Sequence, residues 1–180
     1  MIEKENGLGF ATPHDTPVPY RERITNYYMA LGYGKPYQWA HFNDVPFVAL
    51  KKNLSESRVA LITTAAPYQV DKGDQGPGAP YNAAAKFYKV YSGDTSEDHD
   101  LRVSHIGIDR KHTTAEDINT YFPLTQLRKL ADSGRIGSVA PRFHGAPTNR
   151  SQATTMDQDC VEILARIRED EADVAVIVAN

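Results

Sequence analysis

The chain has very little cysteine, and its other metal-binding side chains are scattered. Its 180 residues include one cysteine, Cys160, so no disulfide can form within the chain. A protein without disulfides is typical of a reducing compartment, and we therefore expect a cytoplasmic protein. The six histidines, at positions 14, 41, 99, 105, 112 and 144, lack the spacing of metal ligands, and no metal site is predicted.

Long apolar runs and an excess of basic residues are also lacking. No run approaches the roughly 18–20 apolar residues that span a bilayer, and the start, MIEKENGLGF, does not resemble a signal peptide. Lys and Arg number 20 against 23 Asp and Glu, for a net charge of −3, which argues against a nucleic-acid surface. We expect neither a membrane nor a nucleic-acid partner.

Common catalytic motifs are absent as well. No G-x-S-x-G nucleophile elbow occurs, and the segment GDQGPG lacks the residue order of a phosphate-binding loop, which disfavours a nucleotide- or flavin-binding domain. Ser104, His105 and Asp109 do not have the spacing of a triad, because adjacent residues of a strand point to opposite faces. The residues themselves therefore identify no convincing nucleophile.

What the chain does contain is a regular alternation of strand and helix patterns. Strand patterns cover residues 58–64, 86–93, 101–109, 136–141 and 173–178, and helix patterns cover residues 20–31, 122–134 and 155–170. This order predicts an α/β fold, a Rossmann-like or flavodoxin-like three-layer sandwich with a mainly parallel sheet. We predict an N-terminal extension with one helix over residues 1–46 and the α/β domain over residues 47–180.

The helix pattern over residues 155–170 is the clearest in the chain. Thr155 and Gln158 have the spacing of a capping box at its start. Cys160 falls on the same helical stripe as Met156 and Leu164, which predicts a buried thiol that behaves as a small hydrophobic group. Cys160 is therefore a poor candidate nucleophile.

The last strand pattern ends where α/β proteins usually bind their ligands. Its apolar run, residues 173–178, predicts a strand buried on both faces, so we expect the fold to be incomplete at the C-terminus. Ligands bind at the carboxyl ends of parallel strands. His105, Asp109 and His144 each lie near such an end and are pocket candidates, although on position alone a solvated loop is the favoured interpretation of each.

Several stretches together resemble the selenoprotein B family, the substrate-reducing subunits of glycine, sarcosine, betaine and D-proline reductases. The resemblance covers residues 47–180. Its most specific parts, in order, are Ser104-His105 with Gly107 and Asp109, then Asp117 to Asn119, Phe122-Pro123, Ala140-Pro141 and the final DVAVIVAN. The chain departs from the family pattern at Pro141-Arg142-Phe143-His144, where the family often has a basic residue and a histidine directly after Ala-Pro.

The resemblance implies a nucleophile that these 180 residues do not include. In the family, the strand corresponding to DVAVIVAN leads into selenocysteine, two residues and cysteine, so the nucleophile is expected immediately after Asn180. A selenol attacks the α-carbon of the substrate and displaces its amine, and the nearby thiol resolves the product. UGA encodes selenocysteine, and we hypothesise that this codon was read as a stop; a trimmed sequence is the competing explanation.

The resemblance also implies partners. A pyruvoyl group on a partner reductase subunit activates the substrate, an amino-acid-like small molecule, and Ser104, His105, Asp109, Asn119 and His144 are candidates to shape the pocket. Self-association is expected too, because an incomplete sheet exposes an apolar edge. The alternative is a non-catalytic α/β module that binds a ligand or a partner and needs no residue beyond Asn180.

Overall fold

The computed structural model describes residues 18–36, 38–103, 114–148 and 151–179, and the chain divides into two compact units, Met1–Asn43 and Asp44–Asn180. The helices of the described part are α1 (Tyr20–Ala30), α2 (Leu124–Asp132), α3 (Gln152–Thr154) and α4 (Cys160–Glu169), with a π-helical stretch at Thr155–Asp159. The strands are β1 (Arg58–Thr63), β2 (Ala66–Pro67), β3 (Tyr91–Asp94), β4 (Leu101–Arg102), β5 (Ser138–Val139), β6 (Arg142–Gly145) and β7 (Val174–Val178).

The first unit contains the predicted helix. It begins at Tyr20 and ends at Ala30, one residue short of the predicted end, and Gly32 follows with a left-handed φ of 84°. None of its residues is buried, and on the predicted apolar face Ile24 is half-buried while Tyr27 is exposed.

The second unit is built around β1, an apolar strand of which five of the six residues are buried. β7 pairs with it in parallel along one edge, from Val59↔Val174 to Thr63↔Val178. β5 and β6 share the other edge, also in parallel, and β3 pairs antiparallel to β6. β2 and β4 form a separate antiparallel pair. The predicted α/β class with a mainly parallel sheet is therefore confirmed.

The apolar core lies on the face of the sheet that α2 covers. Leu124 and Leu127 of α2 are buried there, as the predicted helical face requires. Phe143 of β6 packs edge-on against Phe122, with 4.6 Å between the ring centroids. Val59 and Leu61 complete this cluster, because alternate residues of β1 point to the same side.

The helical segment before β7 begins earlier than predicted. Ser151 caps it by accepting a hydrogen bond from the backbone N–H of Thr154, so the capping box predicted at Thr155 is wrong. The predicted burial of Cys160 is wrong as well, because its thiol is exposed. The face of α4 that lies on the sheet carries Asp170 and Ile163 instead, and the stripe of Met156, Cys160 and Leu164 faces outward.

β6 was expected to be loop, and β7 was expected to be buried. β6 is too short to show a period of its own, and it forms because β1 and β3 pair with its two edges. β7 is a strand as predicted, but its predicted burial is wrong: Ile177 is 68% exposed, because β7 pairs with β1 alone in the described part of the chain.

No helix of the described residues is long and apolar enough to cross a membrane.

The contact between Tyr91 and Gly145 gives a test of the β3–β6 pairing. The two residues face each other across the strands, and a Cβ at Gly145 would lie 1.8 Å from the Tyr91 ring. We expect Gly145→Ala to lower the free energy of unfolding by about 1–3 kcal/mol, the range for overpacking a core site. Urea denaturation measures it. Gly34→Ala, at a position with open space, is the control and should change little.

Candidate functional site

The carboxyl ends of three parallel strands meet at one edge of the sheet. Thr63 of β1 is in register with Gly145 of β6 and with Val178 of β7. The backbone continues this contact, because the N–H of Thr64 donates to the carbonyl of Val178 at 3.2 Å. The residue that follows β7 therefore leaves the sheet beside the end of its central strand, where α/β proteins place their ligands.

A short 3-10 turn, Ile118–Thr120, is held at the same edge. The hydroxyl of Thr63 donates to the carbonyl of Tyr121 at 2.6 Å and accepts a hydrogen bond from the N–H of Ala65 at 3.0 Å. The donated hydrogen bond therefore ties the residue after the turn to the end of β1, whereas the accepted one is local to the chain that leaves β1. This contact brings the candidate Asn119 to the edge where the strands end.

The side-chain amide of Asn119 has a hydrogen-bond partner for its nitrogen but none for its oxygen among the described residues. Its backbone N–H and its Nδ2 both donate to Oδ1 of Asp117, at 2.9 and 2.8 Å, and these hydrogen bonds lower the pKa of the Asp117 carboxyl. Its Oδ1 is buried and accepts no hydrogen bond within the described residues. A buried acceptor without a donor is uncommon in folded proteins, which singles out Asn119 among the described residues.

A narrow cleft with a cavity volume of about 10 Å³, roughly the room that one water molecule needs, lies beside this edge. Its lining includes residues 75–78, Arg102, Val103, Thr114, Ala115 and Tyr121. The candidates Ser104, His105 and Asp109 lie outside the described residues, so the structure does not place them. Two residues that line the cleft, Arg102 and Thr114, come shortly before and directly after that segment in the sequence.

Arg102 lines the cleft and is held there by an ion pair with Asp100. Its Nε and Nη2 donate to the two carboxylate oxygens of Asp100, at 2.5 and 2.9 Å, and these hydrogen bonds raise the pKa of the guanidinium. The guanidinium also lies over the ring of Tyr68, 5.2 Å from its centroid. A planar guanidinium held in this way suits a carboxylate ligand.

His144 does not lie at a pocket lip. It was expected in a loop after a strand, but it is inside β6 and fully buried. Its Nδ1 is 2.9 Å from the hydroxyl of Ser92, which faces it across the β3–β6 pair. Its Nε2 is 3.3 Å from Oδ2 of Asp170, at an angle that does not make a well-formed hydrogen bond. The expected loop position of His144 is therefore wrong, and its role in a pocket stays a prediction.

The neighbours of His144 determine which of its nitrogens carries the proton. Arg166 donates to the Ser92 hydroxyl at 2.7 Å, which leaves that hydroxyl free to donate to Nδ1. Nε2 then carries the hydrogen and faces the Asp170 carboxylate. Burial lowers the pKa of His144, helped by the charges of Arg142 and Arg166 and opposed by Asp170. The imidazole is neutral in the folded protein at neutral pH.

Ser92, His144 and Asp170 have the residue types of a catalytic triad, but they do not work as one. The imidazole is inaccessible, and the Ser92 hydroxyl is already bound by Arg166. The Asp170 carboxylate is instead held by Arg142, whose Nε lies 2.9 Å from Oδ1. The group fastens α4 to the sheet. The sequence could not reveal it, because Ser92 and His144 are 52 residues apart and share no motif.

The lowered pKa of His144 predicts a pH-dependent stability. The unfolded chain binds a proton near pH 6.5, whereas the folded chain does so only at lower pH. Above about pH 6.5, the neutral His144 therefore makes its whole contribution to the free energy of unfolding. Below that pH the free energy of unfolding falls until the pH reaches the pKa of His144 in the folded protein, by at most about 1.4 kcal/mol per pH unit. Urea denaturation from pH 8 to 5 measures this slope.

His144→Gln should be less stable than the wild type at pH 8. Its free energy of unfolding should no longer show the decrease below pH 6.5 that the protonation of His144 causes. His41→Gln, at an exposed histidine, is the matched control and should keep the wild-type slope. An unchanged slope in His144→Gln would contradict the assignment.

Comparisons with known proteins point to one family. A family model described as glycine/sarcosine/betaine reductase selenoprotein B matches residues 30–180. The D-proline reductase subunit gamma of Acetoanaerobium sticklandii is 31% identical over 133 residues, which are 72% of this chain and 51% of that protein. The glycine reductase complex component B subunit gamma of Symbiobacterium thermophilum is 26% identical over 152 residues, which are 82% of this chain and 34% of that protein.

These relatives are longer than the chain, which spans about half of the first and a third of the second. No solved structure matches the chain. The family model nevertheless covers all of the α/β unit, including the strand ends and the turn of Asn119. The chain belongs to the family of glycine/sarcosine/betaine reductase selenoprotein B.

Proposed function

We propose that the chain forms part of a selenol- or thiol-dependent reductase subunit that cleaves a C–N bond of an amino-acid-like substrate. The observation that carries the proposal is the meeting of β1, β6 and β7 at their carboxyl ends, within a chain of this family. A nucleophile that follows Asn180 would emerge at this edge. Residues near the edge would then bind the substrate and orient it.

The reaction is a two-electron reduction of carbon. The α-carbon gains two electrons and a proton as its bond to nitrogen breaks, while a selenol–thiol pair loses two electrons and becomes a selenium–sulfur bond that an external dithiol reduces. The amine leaves with the electron pair of the broken bond. The pyruvoyl group that activates the substrate belongs, in this proposal, to a partner reductase subunit, consistent with relatives named as subunits of reductases.

Two polar side chains near the edge carry groups suited to an amino-acid-like substrate. Arg102 has guanidinium N–H groups beyond those that bind Asp100, and these can donate to a carboxylate, while the buried Oδ1 of Asn119 lacks a donor among the described residues. We infer that Arg102 binds the carboxylate and that Asn119 contacts the amine side of the substrate or the partner subunit. Ser104, His105 and Asp109 remain proposed pocket residues on their sequence position.

The proposal extends to the whole fold and its location. A mainly parallel sheet with α2 on one face and α4 on the other supports a Rossmann-like or flavodoxin-like sandwich for the complete subunit. A selenol–thiol pair stays reduced only in a reducing compartment, which supports the cytoplasm.

The nucleotides after the codon of Asn180 test the proposed nucleophile. We expect TGA, followed by an open reading frame with a cysteine codon three positions on; a cysteine codon in place of TGA also fits the thiol-dependent form. Any other codon, or a frame without that cysteine, would support the alternative of a non-catalytic binding module.

Binding of the substrate class tests the role of Arg102. In NMR titrations of the chain with D-proline, glycine, sarcosine and betaine, at least one should shift the Arg102 Nε resonance. Arg102→Gln should weaken that binding by about 10- to 150-fold, the loss expected for a charged hydrogen bond worth about 1.5–3 kcal/mol.

The control for this titration is Lys129→Gln, which removes an exposed positive charge from α2 and should not affect binding. Thermal unfolding of both variants separates a loss of binding from a loss of folding. Equal binding by Arg102→Gln and the wild type would remove Arg102 from the proposed site.

A further inference from the structure

One loop of the second unit lies beside the cleft and is closed upon itself. It runs from Gln69 to Ala85, after β2 and before β3, and its two ends are joined because Nε2 of Gln69 donates to the carbonyl of Ala85 at 2.5 Å. Gly73 and Gly78 turn the chain within it, with left-handed φ values of 78° and 75°. A compact surface loop with close ends is an Ω-loop, a type that often has a function. We call residues 71–82 the tip of this loop.

Two side-chain amides hold the loop in shape. Nδ2 of Asn82 donates to the carbonyls of Lys72 and Asp74, at 2.5 and 3.1 Å, and so ties the tip to itself. Oε1 of Gln75 accepts a hydrogen bond from the backbone N–H of Gln69 at 3.0 Å, and Nε2 of Gln75 donates to the carbonyl of Gln69 at 2.7 Å. Gln75 therefore ties the tip to the base of the loop.

The tip buries little apolar surface. Of its residues, only Gln75 and Ala79 are buried, and the side chain of Ala79 is a single methyl group. A loop with few buried apolar contacts opens at a much smaller free energy than the whole fold needs for unfolding. The position of the tip therefore depends mainly on the hydrogen bonds of Gln75, rather than on a hydrophobic core.

The tip also forms one wall of the cleft. Residues 75–78 line the cleft together with Arg102 and Tyr121, which are held in place by Asp100 and by Thr63 of β1. The cleft has room for about one water molecule, whereas glycine, the smallest of the proposed substrates, is larger than water. A substrate that contacts Arg102 within the cleft therefore has to displace a wall, and the tip is the wall with little apolar packing behind it.

We propose that the tip is a lid, which moves away from Arg102 when the two hydrogen bonds between Gln75 and Gln69 break, and which closes again over a bound substrate. The lid moves as one piece, because the hydrogen bonds of Asn82 within it are kept. Its role in substrate entry rests on the proposed function, whereas its opening can be measured without a substrate.

Hydrogen exchange of the free chain, followed by NMR, tests the opening. The backbone amide of Gln69 donates to Gln75 and is exposed when the lid opens, whereas the amide of Ala79 donates to the carbonyl of Gly76 at 3.0 Å within the lid and stays bonded. Relative to unfolded peptides, we expect the Gln69 amide to exchange about tenfold faster than the Ala79 amide or more, with little dependence on urea. The amide of Ala140, which is bonded to β1 at 2.8 Å, should be the slowest.

The variant Gln75→Met tests the control of entry, because it keeps the length of the side chain and removes the hydrogen bonds of its amide. For a substrate that shifts the Arg102 Nε resonance, the association and dissociation rate constants should both rise by about tenfold, which corresponds to about 1.4 kcal/mol of lost hydrogen bonding, while Kd changes little. Gln126→Met, at an exposed position of α2, is the matched control and should keep both rate constants. Circular dichroism checks that each variant is folded.

Two results would overturn the proposal. Equal exchange rates and an equal urea dependence of the Gln69 and Ala79 amides would mean that the loop opens only by unfolding. An unchanged association rate constant in Gln75→Met, with a larger dissociation rate constant, would mean that Gln75 shapes the cleft without controlling entry. If no substrate binds but the Gln69 amide exchanges as expected, the opening of the lid is supported and the proposed substrate class fails instead.

Discussion

The second unit depends on the pairing of β1 with three parallel strands. β1 is buried and apolar, and it holds β7 on one edge and both β5 and β6 on the other. Because parallel strands run in the same direction, this arrangement brings their carboxyl ends to one side of the sheet. The position of the candidate site, the burial of the core under α2 and the exposure of β7 all follow from it.

The two faces of this sheet are held by different forces. On one face, Phe122, Phe143 and the leucines of α2 form an apolar cluster, which the hydrophobic effect stabilises. On the other face, α4 is fastened by the buried group of His144 and Asp170 with their arginine partners. Such a group fixes the orientation of α4, although the desolvation of its charges offsets much of its stabilising effect.

The sequence predicted the elements with long patterns and missed those that depend on distant partners. Helix α2 was predicted with its buried face, because Leu124 and Leu127 repeat at helical spacing. β6 is four residues long and contains a glycine, so only its pairing with β1 and β3 makes it a strand. The stripe that includes Cys160 was predicted to be buried, but it faces outward. An apolar periodicity shows that a helix has an apolar face, but it does not show whether another element packs on that face.

The candidate site was predictable in part. The sequence indicated that chemistry belongs at the carboxyl ends of the strands, and the turn of Asn119 does lie there. It could not identify Arg102, because its role follows from its contacts with Asp100 and Tyr68 in the cleft. The sequence suggested a place at the site for His144 only because this residue follows a predicted strand. In the structure, His144 instead makes buried contacts with Ser92 and Asp170, which give it a structural role.

The central claim is that a reactive selenol or thiol follows β7 in the complete subunit. Mass spectrometry of that subunit, purified from its native source, reduced and alkylated with iodoacetamide at neutral pH, tests this claim most directly. We predict a peptide that contains DVAVIVAN, continues past Asn180 and carries the alkyl group on a selenocysteine or cysteine within the next few residues. A subunit with no alkylated residue after this strand would contradict it.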